Sequence, residues 1–514
     1  MGFGILLTEI GKLFDVSLIT TILISTSLGI IIGALPGLTA TMGVALLTGL
    51  TYGIPTWFAI PILLSIYVGA IYGGSISAIL INIPGTPASA ATALDGFPLA
   101  QKGEGLKALY ITRFASFIGT IFGMLCLLNF APLISQLAER HFASPEFFLL
   151  AIFGIVICGS LTSMDKPLKG WIAGFLGLMI SFIGTEEIYG YPRYTFGYSD
   201  LLSGIPFIPA MIGVFGIPQI LNTLKDPNAD FKIMEARKLR LKDMRIFELI
   251  RENIFTILRS GLIGVGVGSI PGVGEDIASW LSYDRAKKAS KKPEDFGKGS
   301  YEGLIASETG NNACIGGSII PLLSLGVPGS PPAAVLLGAL FLHGIRPGPM
   351  LAFENPTFSY TMTAILMYCA IALLICGFIL SGFIALVLKV KPAILMPIVG
   401  ALSIIGSYAI GIRLFDIKVM VVFGILGYFL IKMGYPPAPL ILGTILGPIA
   451  DANFRRTLLT SEGSLMPFFT RPISIVFVVL IGWSIFSMTD TYKRVFSHSR
   501  QGKNTNKNKI ERKE

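Results

Sequence analysis

Long apolar runs separated by short polar stretches follow one another along most of the chain. Runs over 16–35, 56–83, 106–133, 145–162, 167–185, 204–222, 253–270, 300–327, 357–388, 391–411, 415–433 and 472–488 approach or exceed the roughly 20 residues a helix needs to cross a bilayer. Shorter apolar pieces lie at 38–51, 86–100, 273–283, 332–344 and 436–450, most of them just after a Pro-Gly break. These are too short to cross alone. At membrane depth they are tolerated only when buried in protein or lining a cavity, so they read as half-helices or re-entrant arms. The pattern predicts an all-α polytopic membrane protein of about 12 transmembrane helices with broken half-helices between them.

The runs also repeat. "GALPGLTATMGVALL" (33–47) parallels "GSIPGVGEDIASWLS" (268–282), and "GGSISAILINIPGTPASAA" (73–91) parallels "GGSIIPLLSLGVPGSPPAA" (316–334). Each copy keeps one order: a Pro-Gly break, then Gly-Gly-Ser-Ile, then a second Pro-Gly followed by Thr-Pro or Ser-Pro. Equivalent loops carry opposite charge bias. The link before GGSI holds Arg285, Lys287, Lys288, Lys291, Lys292 and Lys298 in the second copy and is the uncharged "TYGIPTW" in the first. The next loop reverses this, with Lys102, Lys107 and Arg113 in copy one against Arg346 and Glu354 in copy two. Since basic loops stay on the cytoplasmic side, the copies read as inverted-topology repeats. The expected organisation is a membrane repeat over 1–222, a basic cytoplasmic linker over 223–252 and a second repeat over 253–450. A loop and last helix over 451–488 and a basic cytoplasmic tail over 489–514 complete it. In this scheme 163–169 is inside and 186–203 outside. Arg455 and Arg456 then fall outside, against the rule.

Composition fits this reading. The 514 residues have a mean hydropathy of +0.72, and 14% are charged where soluble domains carry about 25%. The net charge of +10 sits in loops, as the positive-inside rule requires, so nucleic acid is not implied as a partner. Cys126, Cys158, Cys314, Cys369 and Cys376 show no metal or disulfide spacing, and His141, His343 and His498 are scattered. The N-terminus has Lys12 as its sole early basic residue and no cleavage-site pattern, so the first apolar stretch is expected to be retained.

A helix broken within the membrane exposes free amides at one end and free carbonyls at the other, suited to an anion and to a cation respectively. The expected solute-facing residues are Gly37, Leu38, Thr39 and Thr41, Gly85 and Thr86, Gly272, Val273 and Gly274, and Gly329 and Ser330. Each break could instead be a simple kink or a surface loop. "SETGNNA" puts Glu308, Asn311 and Asn312 at helical spacing inside an apolar segment, where polar groups are costly. They are either site residues or interhelical glue. Asn82 is a weaker candidate of the same kind.

The stretches "GALPGLTATMGVALL", "GGSISAILINIPGTPASAATALDGFPLAQKG" and "GKGSYEGLIASETGNNACIGGSIIPLLSLGVPGSPPAAVLLGALFLHGIRPGP" closely resemble the large membrane subunit of tripartite tricarboxylate transporters, the TctA family. The resemblance covers nearly the whole chain. It implies a multi-pass, ion-coupled secondary carrier in the cytoplasmic membrane of a prokaryote, taking up carboxylates such as citrate. A small membrane subunit and a periplasmic or tethered solute-binding protein are the implied partners, and a coupling Na⁺ or H⁺ the sole implied co-reactant. It places solute contacts at Pro36-Gly37, Pro271-Gly272, the PGTP and PGSP segments and Asn311-Asn312.

Glu275 and Asp276 depart from the family, which usually has small residues and a threonine there. The two acids would repel a tricarboxylate unless protonated or cation-bound. They could carry coupling protons, ligate Na⁺, accompany a less anionic (neutral or zwitterionic) substrate, or simply favour a helix N-terminus facing water. Glu308 is a third candidate for the coupling ion. A channel and a membrane enzyme are the rival classes. The enzyme has little to stand on: HExxH, GxSxG and Walker motifs are absent, and "GVGVGSIPG" lacks the P-loop lysine.

Overall fold

The computed structural model describes residues 2–162, 166–225, 245–381, 383, 388 and 390–487. Most of the basic linker and the whole of the basic tail lie outside the described residues. Among those described are twenty-one α-helices. The first half holds α1 Gly2–Lys12, α2 Val16–Ala34, α3 Ala40–Leu50, α4 Thr56–Ile81, α5 Ala90–Gln101, α6 Gly105–His141, α7 Ser144–Thr162, α8 Pro167–Ser181 and α9 Phe207–Thr223. After the linker come α10 Ile246–Glu252, α11 Ile254–Gly268, α12 Gly274–Ala289, α13 Tyr301–Leu325, α14 Pro331–Leu342, α15 Leu351–Glu354 and α16 Phe358–Leu380. The chain continues with α17 Pro392–Gly411, α18 Leu414–Lys432, α19 Pro437–Thr460, α20 Pro467–Thr470 and α21 Pro472–Ser487. A two-stranded hairpin pairs Gly184–Thr185 with Pro192–Arg193.

Each of the twelve expected spans coincides with one helix, namely α2, α4, α6 to α9, α11, α13, α16 to α18 and α21. Seven of these are long and apolar enough to cross a membrane by length and composition alone. This is a multi-pass helical membrane protein. Four of the short pieces are the short helices α3, α5, α12 and α14. The fifth differs: 436–450 is not an isolated piece but the start of the 24-residue α19. The charged sequence after residue 450 hides its continuation. Asp451 accepts hydrogen bonds from Arg193 Nη2 (2.7 Å) and Arg455 Nε (2.9 Å), so the tertiary structure satisfies it. The short helices α1, α10, α15 and α20 were not expected either.

Helices α2 and α4 pack together along their length, as do α11 and α13, and the two pairs share backbone detail. Gly85 N donates to Gly74 O and Gly329 N to Ser318 O, each at 3.3 Å. A Cβ on Gly85 would stand 1.9 Å from Gly33 O, and one on Gly329 would stand 1.8 Å from Gly268 O. No side chain fits at either position. The preceding helices end alike, on left-handed Asn82 (φ 59°) and Gly326 (φ 73°). The match sets Gly74 against Ser318, one residue off the alignment of the GGSI motifs. Spacing measured back from the second break already differed by one between the copies.

One acid joins the two halves. Asp95, fully buried on α5, accepts hydrogen bonds through Oδ1 from the amides of Gly297 (2.7 Å), Gly299 (2.9 Å) and Ser300 (2.8 Å). Its Oδ2 accepts from Tyr283 Oη of α12 at 2.8 Å. The carboxylate therefore binds the loop that leads into α13 as well as α12.

Candidate functional site

Four chain breaks converge. After α2, Gly37 takes φ +97° and Thr39 caps α3 by accepting from Met42 N at 3.2 Å. After α11, Gly272 takes φ +71°, its amide donates to Pro328 O (3.1 Å), and Gly274 N donates to Gly329 O (3.1 Å). The third and fourth breaks are thus sewn together by backbone. Ser330 Oγ caps α14, accepting from Ala333 N at 3.3 Å.

Between the breaks lies a cavity of about 350 Å³. Every broken segment contributes to its wall: Thr39 and Thr41 from the first, Thr86 from the second, Glu275 and Asp276 from the third, Pro331 and Pro332 from the fourth. Gln219 and Asn222 of α9 add amides. The volume falls in the range of small-molecule sites. Thr86 is almost fully buried, and its hydroxyl has no hydrogen-bond partner among the described residues. A buried polar atom without a partner is costly, and this one belongs to a residue that borders the cavity.

The two acids differ. Glu275 is 2% exposed and accepts a short hydrogen bond from Tyr67 Oη of α4, which is itself 2.7 Å from Ser330 Oγ. The single proton of Tyr67 is given to Glu275, so Ser330 donates to Tyr67 and the chain runs Ser330 to Tyr67 to Glu275. Asp276, next in sequence, is exposed to the cavity. Hydroxyl, amide and carboxylate oxygens make up most of the polar lining, the donor set a hard cation or a hydrogen-bonding solute prefers.

Other expected site residues lie elsewhere. Gly37, Leu38, Gly85, Val273, Gly274 and Gly329 shape the turns behind the wall, with Leu38 and Val273 in apolar packing. Gly272 and Ser330 border a separate narrow void. Asn82 is an exposed helix cap. Glu308, Asn311 and Asn312 are fully buried where α5, α6 and α13 meet, away from the cavity wall. Glu308 accepts from Thr92 Oγ1 (2.5 Å), Ser116 Oγ (2.8 Å) and Asn311 Nδ2 (3.4 Å), while Asn312 Nδ2 donates to Asn311 Oδ1 at 2.7 Å. Asn311 Nδ2 also reaches Ala88 O (3.4 Å), just past the PGTP break. This contact mirrors Tyr67, since the spacing that equates Gly85 with Gly329 equates Tyr67 with Asn311. Each half sends one polar side chain to the break of the other.

Sequence reading missed Tyr67, Gln219 and Asn222. Tyr67 sits inside an apolar run and its partners are more than 200 residues away. Gln219 and Asn222, one helical turn apart at the polar end of a span, were a signal that could have been used.

Residues 19–442 match the tripartite tricarboxylate transporter TctA family. The chain belongs to this family. It is a transporter family whose members work with partner subunits and a solute-binding protein. Among individual relatives, an uncharacterized 52.8 kDa protein in the TAR-I ttuC' 3' region of Agrobacterium vitis is 36% identical over 447 residues, covering 87% of this chain and 88% of that one. An uncharacterized protein in the TAR-II ttuC' 3' region of the same organism is 38% identical over 208 residues, 40% of this chain and 86% of the relative. No solved structure matches.

Proposed function

We propose that this TctA-family chain is an ion-coupled secondary carrier that imports a small di- or tricarboxylate across the cytoplasmic membrane of a prokaryote, the solute resting in the cavity between the four breaks. The observation that carries this reading is the wall itself: four interrupted segments from two internally similar halves, an unpartnered Thr86 hydroxyl and two carboxylates. Thr39, Thr41, Thr86, Gln219 and Asn222 would hydrogen-bond the solute. Glu275 and Asp276 would hold the coupling Na⁺ or H⁺ next to it, offsetting the charge of an anionic solute. Glu308 is a third carboxyl for the coupling ion, acting through Asn311 and Ala88 on the segment that carries Thr86.

The charge reversal between equivalent loops supports an inverted pair of halves moving by alternating access. Thr162, Asn222, Ile431 and Pro436 line the cavity; Thr162 and Asn222 lead into basic stretches, and Ile431 and Pro436 flank the segment that holds Lys432. In this reading the structure faces the cytoplasm. The small membrane subunit and the solute-binding protein of the family would complete the assembly. A less anionic solute is the second reading, favoured by the pair of acids in the wall.

Uptake of labelled citrate, succinate and alanine by right-side-out vesicles, with and without the chain and under imposed Na⁺ or proton gradients, tests both. Gradient-dependent carboxylate uptake is expected. Uptake of alanine alone would move the assignment to the zwitterionic solute, and flux without gradient dependence would remove the carrier.

A further inference from the structure

A second cavity, of about 700 Å³, lies at the other end of α9. It is bordered by the end of α8, the hairpin, the start of α9, Phe341 at the end of α14, Arg346 just beyond that helix, and α19 from Thr444 to Arg456. The same helices connect it to the site. Along α19 its wall runs from Asp451 through Thr444, then Leu442 and Ile441 border a void of about 10 Å³, then Ala438 and Pro437 border the solute cavity. On α9 the order is Ala210, Phe215, Gln219. On α14 it is Phe341, Ala334, Pro331. The middle void is at the lower edge of the roughly 10–15 Å³ that one water needs. The two cavities therefore lie in line along the same three helices, with a small void bordered by Phe215, Ala334 and Leu442 between them.

The larger cavity carries Arg193, Arg346 and Arg456 against Asp451 and Glu187. Asp451 is already held by Arg193 and Arg455. Arg346 and Arg456 are exposed and have no acidic partner among the described residues, and the buried Arg193 Nε has no hydrogen-bond partner. Arg456 is also one of the two residues that oppose the positive-inside rule. Arg455, the other, is accounted for by its ion pairs with Asp451 and Glu186. Arg456 needs another reason to be there.

We propose that this recess is the outer vestibule of the transport path, where Arg193, Arg346 and Arg456 capture a small polycarboxylate before it passes Phe215. The inference rests on the carrier reading above. Guanidinium groups pair with carboxylates in planar, two-bond geometry, and with Arg193 and Asp451 paired to each other the recess keeps Arg346 and Arg456 against Glu187 alone, an excess of positive charge that favours the arrival of an anion. A recessed position suits a small anion better than the face of a docking protein.

The test places a cysteine in the vestibule, Ser203→Cys in a Cys126→Ser background, the other cysteines being buried. Intact cells are treated with an anionic (sulfonatoethyl) or a cationic (trimethylammonioethyl) methanethiosulfonate. The anionic reagent is expected to react faster, and Arg346→Gln with Arg456→Gln to reduce its rate about fivefold at low salt. Arg346→Lys with Arg456→Lys keeps the charge and should keep most of the rate. Citrate should slow the reaction of the parent and not of the Gln pair. In uptake the Gln pair should raise KM severalfold with little change in kcat. Equal rates for both reagents, labelling only from the cytoplasmic side, or a Gln pair that behaves as the parent would overturn the vestibule while leaving carboxylate uptake intact. Absence of carboxylate uptake in the parent would instead strike the carrier reading, whatever the reagents show.

Discussion

The two copies of the broken-helix motif agree in backbone and disagree in chemistry. Both close with the same amide-to-carbonyl bond 11 residues back, and both admit no side chain at the second glycine. Yet the first copy offers the cavity hydroxyls (Thr39, Thr41 and Thr86), and the second offers carboxylates at Glu275 and Asp276. The frame holds two chain ends at one place. In the proposed carrier the hydroxyls would suit the solute, and the acids a cation carried with it.

The strongest way to break this comparison is to attack the shared frame. Gly85→Ala and Gly329→Ala each push a methyl into backbone that cannot move aside, where overpacking costs about 1–3 kcal/mol or more. Both variants should lose most folded protein, to a similar degree, by detergent-resistant fluorescence size exclusion. If only one copy is sensitive, the frames are not equivalent. Glu275→Gln comes next. It should leave folding near normal and cut ion-dependent uptake by at least about tenfold, equivalent to ~1.4 kcal/mol in the barrier. Unchanged coupling would remove the acid from the ion's path. Asp95→Asn replaces an acceptor of four hydrogen bonds with a group that also donates, and should lower stability by about 2–3 kcal/mol in thermal melts. An unchanged melting temperature would show that the clasp contributes little. The smallest effect sharpens the contrast. Thr86→Val removes a hydroxyl that has no partner among the described residues, so stability should hold or rise while KM increases a few-fold. A loss of stability with unchanged KM would make Thr86 a structural residue.

The membrane spans were legible because lipid-facing and buried helices share one signal, a long apolar run. The signal failed at α19, where Asp451 and Arg455 lower the local hydropathy but find partners in distant parts of the chain. It also failed at α1, whose 11 residues include Glu9 and Lys12. Of the site, the Pro-Gly breaks and the two acids could be read, because they violate local rules. Tyr67 could not, since a tyrosine in an apolar run breaks no rule and its partners come from the other half. Glu308, Asn311 and Asn312 were recognised as unusual, but only folding reveals that they bind α5, α6 and α13 together outside the cavity.

The grip of Asp95 on the amides of Gly297, Gly299 and Ser300 has a mechanical corollary. Four bonds to one carboxylate tie α5, α12 and the start of α13 together, so in an alternating-access carrier the hinge would be expected outside this block. A rearrangement that exposes the solute to the opposite side would then swing this block as a rigid lever and not peel it apart.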